Sequence, residues 1–322
     1  MGEAEGLLTR PESRTRYVLI WMDDIDTGRM VDIRRSIEDT VGASREQVEV
    51  DLWIESAGGD AHVAYKLAIL LRHTACHVRV VVPDYAKSAA TLLALVGDEI
   101  FLAPSAELGP LDAQLPQEGS LAPISALNIA KAADEVARDA VALAIQGGGE
   151  LLVVTGLSRA ETLNAMLRFS AEFSQSLVCQ LDPKLVHQAK ELLRVTARYA
   201  VDLLETKLNG DAWEVAQRLV EDFPTHSFVI APTAAKALGL PIRPIHEYDL
   251  LRAARMVHRA AEDGRRVVQF GPMDELLNAL AEDDDAEGDH VEEDHEHRHE
   301  RSPVGVEDEP ELSEDGSPRA HA

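Results

Sequence analysis

Four short apolar runs dominate the first third of the chain: YVLIWM (17–22), QVEVDLWI (47–54), HVRVVV (77–82) and EIFLA (99–103). Each has the length of a strand; three are apolar on most residues, and QVEVDLWI alternates before passing into a wholly apolar end. Such strands must be covered on both faces, which is the situation of parallel sheets flanked by helices. The segments between them have helical spacing. Residues 30–41 are amphipathic, residues 61–74 place apolar side chains three and four apart behind a possible cap at Asp60, and residues 88–97 enter a short helix ending near Gly97. The pattern predicts an α/β fold, a mostly parallel sheet covered by helices.

Beyond residue 127 the texture changes to long helical patterns that reach about residue 208, with expected breaks at 147–149 (GGG) and at Asp182–Pro183. LLVVT at 151–155 is the one stretch there with a strand-like composition. Residues 211–239 read as helix, turn and a short helix closed by Gly239, followed by an extended PIRPI and two amphipathic helices around RRVVQF. The tail from residue 281 carries 17 acidic against 3 basic residues and almost nothing apolar, so it is expected to be disordered. The expected organisation is a leader over 1–16, a main domain over 17–247, a helical C-terminal extension over 248–280 and the acidic tail over 281–322.

Charge narrows the partners. Of the net −26, the tail contributes −14 and the remainder −12, a field that repels phosphate backbones and anionic lipid. Nucleic acid is therefore not expected as a partner. No stretch approaches the length of a membrane span, and the first sixteen residues show neither an apolar signal core nor a myristoylation pattern, so a cytoplasmic protein with no integral membrane segment is expected. The two cysteines, Cys76 and Cys179, cannot build a disulfide framework and read as small buried apolar residues, as Trp21, Trp53 and Trp213 read as core or helix packing.

Two constellations carry chemistry. SAGGD (56–60) ends the second strand with paired glycines, which admit positive φ and close backbone approach, and it opens a helix whose N–H groups face the same spot. Alone, it is as readily a tight turn; no GxGxxG fingerprint accompanies it, and no cofactor is expected. AKSAATL places Ser88 among small residues at a helix entry after the third strand. Alone, that serine reads as an N-cap. Both turns lie at the C-terminal ends of parallel strands, where ligands bind in α/β sheets, so Gly58, Gly59, Ser88 and Ala89 can converge.

The order IESAGGDAHVAYKLAILLRH, then VVVPDYAKSAATLLALVGDEIFLAPSAELGPLDAQL, then FPTHSFVIAPTAAKALGL resembles the serine dehydrogenase proteinase family of the Clp/crotonase fold, related to signal peptide peptidase A and the Clp peptidases. The resemblance spans roughly residues 17–245. It implies Ser88 as nucleophile, Gly58 and Gly59 with Ala89 as oxyanion-hole donors, a peptide or protein substrate and a homo-oligomer whose contacts come from the long helices.

The base stays open among three residues. Where Clp peptidases carry their histidine this chain reads LGPLDAQL with Asp112, and where they carry the acidic residue it has His226, so a triad with exchanged positions is one arrangement. Lys131 matches a lysine frequent in the family and offers a serine–lysine dyad; Lys87, beside Ser88, is expected to point away as a surface charge. The expected function is a serine peptidase-like hydrolase working through a Ser88 acyl-enzyme. Its rivals are an inactive scaffold that binds peptides or partners, favoured by the missing Clp-type histidine, and crotonase-type acyl-CoA chemistry, which the acidic surface disfavours. The tail histidines 290, 295, 297 and 299 match no closed metal site, and no metal is expected.

Overall fold

The computed structural model describes residues 14–115, 124–156, 158–208, 211–262 and 266–280. The acidic tail with its histidines lies outside them, as does most of the leader. In chain order the elements are β1 (Thr15–Met22), α1 (Thr27–Thr40), β2 (Val48–Ile54), α2 (Ala61–Thr74), β3 (His77–Val82), β4 (Tyr85–Ala86), α3 (Ala89–Ala94), β5 (Glu99–Leu102), β6 (Glu107–Leu108), β7 (Gln114–Leu115) and β8 (Ile124–Ser125). They continue as α4 (Ala126–Thr155), α5 (Arg159–Val178), α6 (Pro183–Leu204), α7 (Ala212–Glu221), α8 (Pro232–Ala237), β9 (Ile242–Pro244), α9 (Leu251–Glu262) and β10 (Val267–Pro272).

The main sheet has the order β10-β1-β2-β3-β5-β9. All its neighbours are parallel except β10, which runs antiparallel to β1 along one edge. The apolar runs are buried on both faces, as expected. On one side Leu19, Trp21, Leu52, Ile54 and Val80 join the core formed with α2, α3 and α6. On the other, Ile20, Trp53, Val81 and Phe101 are buried with Tyr248, Ala254 and Val257. Trp53 donates its indole N–H to the Tyr248 hydroxyl at 2.7 Å, and the Phe101 and Tyr248 rings lie 5.3 Å apart.

That second face corrects the domain reading. Residues 248–280 are not a separate helical extension: RRVVQF, placed between two helices by its flanks, supplies the edge strand β10, and Tyr248 and α9 cover the sheet. Tyr248 also hydrogen-bonds the fully buried Asp51, whose charge is met by Arg16 at 2.9 Å and Arg79 at 3.3 Å. Burial beside that carboxylate pushes the phenol well above the usual range.

Three smaller expectations also change. The expected break at 147–149 does not occur: α4 runs through the glycines and LLVVT to Thr155, and Gly156 in a left-handed turn ends it. A Cβ at Gly147 would collide with the end of Met166, so the glycine admits α5 at close range. Cys179 is exposed and Cys76 half-buried rather than core, and Trp213 is 54% exposed on α7.

Candidate active site

Ser88 stands between β4 and α3 with φ 51 and ψ −119, and among the described residues no other non-glycine has positive φ. Such a conformation costs a β-carbon-bearing residue about 1–3 kcal/mol, so its surroundings must enforce it. They do so from three sides. Lys87 N–H donates to Ser56 O at 3.0 Å, and Ser56 N–H to Tyr85 O at 3.2 Å, tying the turn to the end of β2. Thr91, fully buried one turn into α3, donates to Ala86 O at 2.6 Å and accepts from Gly109 N–H at 3.0 Å. Two glycines then close on the turn. A Cβ at Gly58 would sit 2.9 Å from Lys87 O and 3.0 Å from Ser88 Cβ, and one at Gly109 would sit 3.0 Å from Lys87 Cα.

The serine stands at the N-cap position of α3 but does not cap it with its hydroxyl. Its side chain makes no capping hydrogen bond, and its oxygen is left to face a cavity of about 360 Å³ also lined by Gly59, Ala89, His62, Gln114 and His226. A strained serine at a strand-to-helix turn, with its hydroxyl uncommitted, is the geometry that exposes a nucleophile.

The two glycines of SAGGD divide their work. Gly58 and Gly59 have φ 119 and 136, and their strand-like bridge to Ile25 uses Gly58 O and Asp60 N–H, at 2.7 and 2.9 Å. Gly58 N–H donates to Ser56 Oγ at 3.1 Å, so this amide is already committed and the residue serves close approach instead. Gly59 N–H and Ala89 N–H have no acceptor among the described residues, and both residues line the cavity beside Ser88. Sequence reasoning named all three amides; the structure leaves two of them available.

His226 lines the cavity, and Asp112 lies behind its ring between the lining residues Leu111 and Ala113 of the chain. His226 Nδ1 lies 3.8 Å from Asp112 Oδ2, an approach longer than a hydrogen bond, and this nitrogen is buried without a partner. Asp112 is 1% exposed and accepts Leu127 N–H at 3.0 Å, so its carboxylate sits on the N-terminus of α4, where the helix favours negative charge.

Lys131 is placed elsewhere. It lines a second cavity, between α4, α6 and α7, and its ammonium donates to Glu221 O at 2.7 Å. Leu127 meets Asp112 through its backbone N–H at the start of α4, while its side chain and that of Lys131, one turn on and on the same face, both line this second cavity. Lys87 points away from the cavity into an ion pair with Glu107.

Sequence reasoning missed three participants. Thr91 and Gly109 clamp the serine turn; the threonine two turns short of Gly97 and the glycine of LGPL were visible but carried no signal of contact. His62, at the start of α2, lines the cavity and pairs its Nδ1 with the Tyr199 hydroxyl at 2.9 Å. Tyr199 in turn stacks on Tyr65, whose hydroxyl donates to Asp202 at 3.1 Å. No group of three or more histidine, cysteine, aspartate or glutamate side chains is placed to hold a metal ion among the described residues, and no helix among them is long and apolar enough to cross a membrane.

Residues 21–146, which hold the serine turn and both glycine turns, match the family model of the ClpP-like SDH-type serine proteinases, the family that the motifs resemble. Two uncharacterized proteins of Methanocaldococcus jannaschii align with the chain. One is 28% identical over 236 residues, covering 72% of this chain and 66% of its own length; the other is 25% identical over 210 residues, covering 64% and 57%. The chain thus spans less than two thirds of these relatives. Among solved structures, a serine-to-alanine mutant of the 1510-N membrane-bound stomatin-specific protease has 15% identity and a TM-score of 0.42 over 73% of this chain and 83% of its own. A lysine-to-alanine mutant of the same protease with a substrate peptide gives 14% and 0.42, over 72% and 76%. A ClpP1 mutant from Listeria monocytogenes gives 16% and 0.26, over 45% and 75%.

Proposed function

We propose, from the family match over residues 21–146, that this chain is a serine peptidase-like hydrolase in which Ser88 forms an acyl-enzyme with a peptide or protein substrate. The observation that carries the reading is the strained, uncapped Ser88 opening onto a cavity beside two free backbone donors. Ser88 Oγ attacks the scissile carbonyl and passes its proton to His226. The new oxyanion accepts from Gly59 N–H and Ala89 N–H, donors already fixed by the α2 and α3 starts, so little reorganisation accompanies the charge. His226 returns the proton to the leaving amine, and water attacks the acyl-enzyme by the same route. Asp112, buried 3.8 Å from His226 Nδ1, stabilises the imidazolium and closes to a hydrogen bond when substrate seats the ring. Lys131 takes no part in this scheme because its ammonium is held on the Glu221 carbonyl in another cavity.

A fluorophosphonate probe tests this reading. It is expected to label the protein at Ser88, with labelling lost in Ser88→Ala, slowed by two or more orders of magnitude in His226→Ala and unchanged in Lys131→Ala. Labelling that dies with Lys131→Ala and survives His226→Ala transfers the base to the lysine. The open 3.8 Å gap and the unpartnered His226 nitrogen favour one other reading, a scaffold that binds peptides without cleaving them. Absence of probe labelling, with peptide binding retained, establishes that alternative.

A further inference from the structure

We propose that His62 is a specificity-determining residue which, with Gln114, selects substrates carrying a primary carboxamide side chain on the residue that supplies the scissile carbonyl. This rests on the reading of the cavity of about 360 Å³ as the place where substrate meets Ser88.

The imidazole is held from behind. His62 stands in the first turn of α2, and its Nδ1 lies 2.9 Å from the Tyr199 hydroxyl of α6. Tyr199 stacks on Tyr65 with 4.0 Å between ring centroids, and Tyr65 donates to the Asp202 carboxylate at 3.1 Å. Arg198 pairs with that carboxylate at 3.2 Å, and Arg72 donates to the Asp202 carbonyl at 2.7 Å. Leu192, Thr196 and Tyr199 share one face of α6 at helical spacing; the first two line the cavity, so this face leads from the cavity to the ring. An exposed histidine left to solvent samples several rotamers. This one is fixed, and Nε2 is the ring atom left for a ligand.

The rest of the lining shows what a substrate side chain meets beside Nε2. Ala57, Ala61, Ala89, Leu92, Leu111 and Leu192 make it largely apolar. The Asp60 carboxylate accepts from His62 N–H and Val63 N–H, and the Thr196 hydroxyl donates to Leu192 O, so both are committed. Ser88 and His226 serve the proposed reaction. Gln114 remains, its side-chain amide without a partner among the described residues.

That pair of polar ends selects a carboxamide. If Tyr199 donates to Nδ1, Nε2 carries the ring proton and donates; if Tyr199 accepts, Nε2 accepts. A primary carboxamide holds both a donor and an acceptor, so it satisfies either tautomer and keeps its second atom for the Gln114 amide. A carboxylate can only accept, and Asp60 on the cavity wall, in a chain of net charge −26, repels it. A hydroxyl offers one atom to two partners, and an aliphatic side chain leaves both without one.

Two readouts keep this proposal separable from the hydrolase reading. Peptides identical except for glutamine, glutamate or methionine at the residue supplying the scissile carbonyl are compared for cleavage by the wild type. The same peptides are compared for binding to Ser88→Ala by fluorescence anisotropy, which needs no turnover. Glutamine is expected to be favoured over methionine by about tenfold in both, the size of one or two net hydrogen bonds. His62→Ala, made in each background, is expected to bring that ratio near one. Tyr199→Phe is expected to lower it by about threefold, because phenylalanine keeps the stack on Tyr65 and frees the imidazole to turn. A ratio between two peptides on one protein is unmoved by partial misfolding, so a merely structural His62 leaves it at its wild-type value. Equal treatment of glutamine and methionine overturns the proposal, as does a preference that survives His62→Ala. A preference for glutamate overturns it in favour of a carboxylate site. If no peptide is cleaved but binding shows the preference and loses it in His62→Ala, the hydrolase reading fails and the recognition site stands.

Discussion

The serine turn and the outer α4–α5 hairpin are both glycine-rich and both include a helix, but they stand at opposite limits of satisfaction. At the serine turn the backbone groups of Ser56 and Lys87 are paired, Thr91 bonds in two directions, and Gly58, Gly59 and Gly109 admit contacts too close for any other residue. In the hairpin, hydroxyls are buried unpaired and apolar side chains face outward. One region is over-determined and holds strain; the other is under-determined and lacks a neighbour. The first suits a site that must keep a serine in an unfavourable conformation, and the second leaves polar groups unpaired inside and apolar groups exposed outside.

Substitutions at four points sharpen this contrast. The largest effect is expected from Gly59→Ala. Its φ of 136 is strained for alanine, and the new Cβ would overlap the Ile25 carbonyl oxygen, so a loss of about 3 kcal/mol or more is expected, read as a collapse of the denaturation midpoint. A loss under 1 kcal/mol breaks the picture of a rigid cradle.

Lys207 probes the far end of the serine helix. Its ammonium is buried and donates to the Leu95, Val96 and Gly97 carbonyls just after α3, at 2.9 Å for Leu95 and 2.6 Å for Gly97. Burial lowers its pKa from 10.5 to about 7, against the opposing pull of Asp98. The folded state therefore binds the proton more weakly than the unfolded chain, and this group's contribution to stability falls as pH drops from about 10.5 through about 7. Between pH 7 and pH 10 stability is expected to climb by roughly 2 kcal/mol from this residue, and Lys207→Met is expected to remove that slope in urea denaturation. An identical slope in the variant places the lysine outside the coupling.

Ser88→Gly is expected to abolish hydrolysis and at the same time to stabilise the fold by about 1 kcal/mol, because glycine adopts φ 51 without strain. Ser88→Ala, which keeps the strain, is expected to abolish hydrolysis with the melting temperature unchanged. Equal melting temperatures for the two variants would show that the turn stores no strain.

The smallest effect is expected from Gly149→Ala in α4. A Cβ there meets nothing within 4 Å, so the helix gains about 0.5–1 kcal/mol of propensity, the opposite sign to Gly59→Ala. Destabilisation at Gly149 would break the contrast between the two glycine sites.

Periodicity and local chemistry in the sequence determined the four parallel strands β1, β2, β3 and β5, the boundaries of α2, the Asp60 cap that accepts from His62 N–H at 2.7 Å, and the convergence of SAGGD with AKSAATL. These are legible because each depends on residues within a turn or a strand of one another, and because parallel strands carry their C-terminal turns to one edge. The tertiary structure alone decided that β10 returns from residue 267 to pair with β1, that Gly58 N–H is taken by Ser56 and Gly59 N–H is not, and that Asp112 meets His226 while Lys131 turns to α7. Those outcomes rest on contacts between residues distant in the chain or on differences of an ångström or less. A hydrophobic pattern fixes which side of an element is buried, but not which distant group waits there.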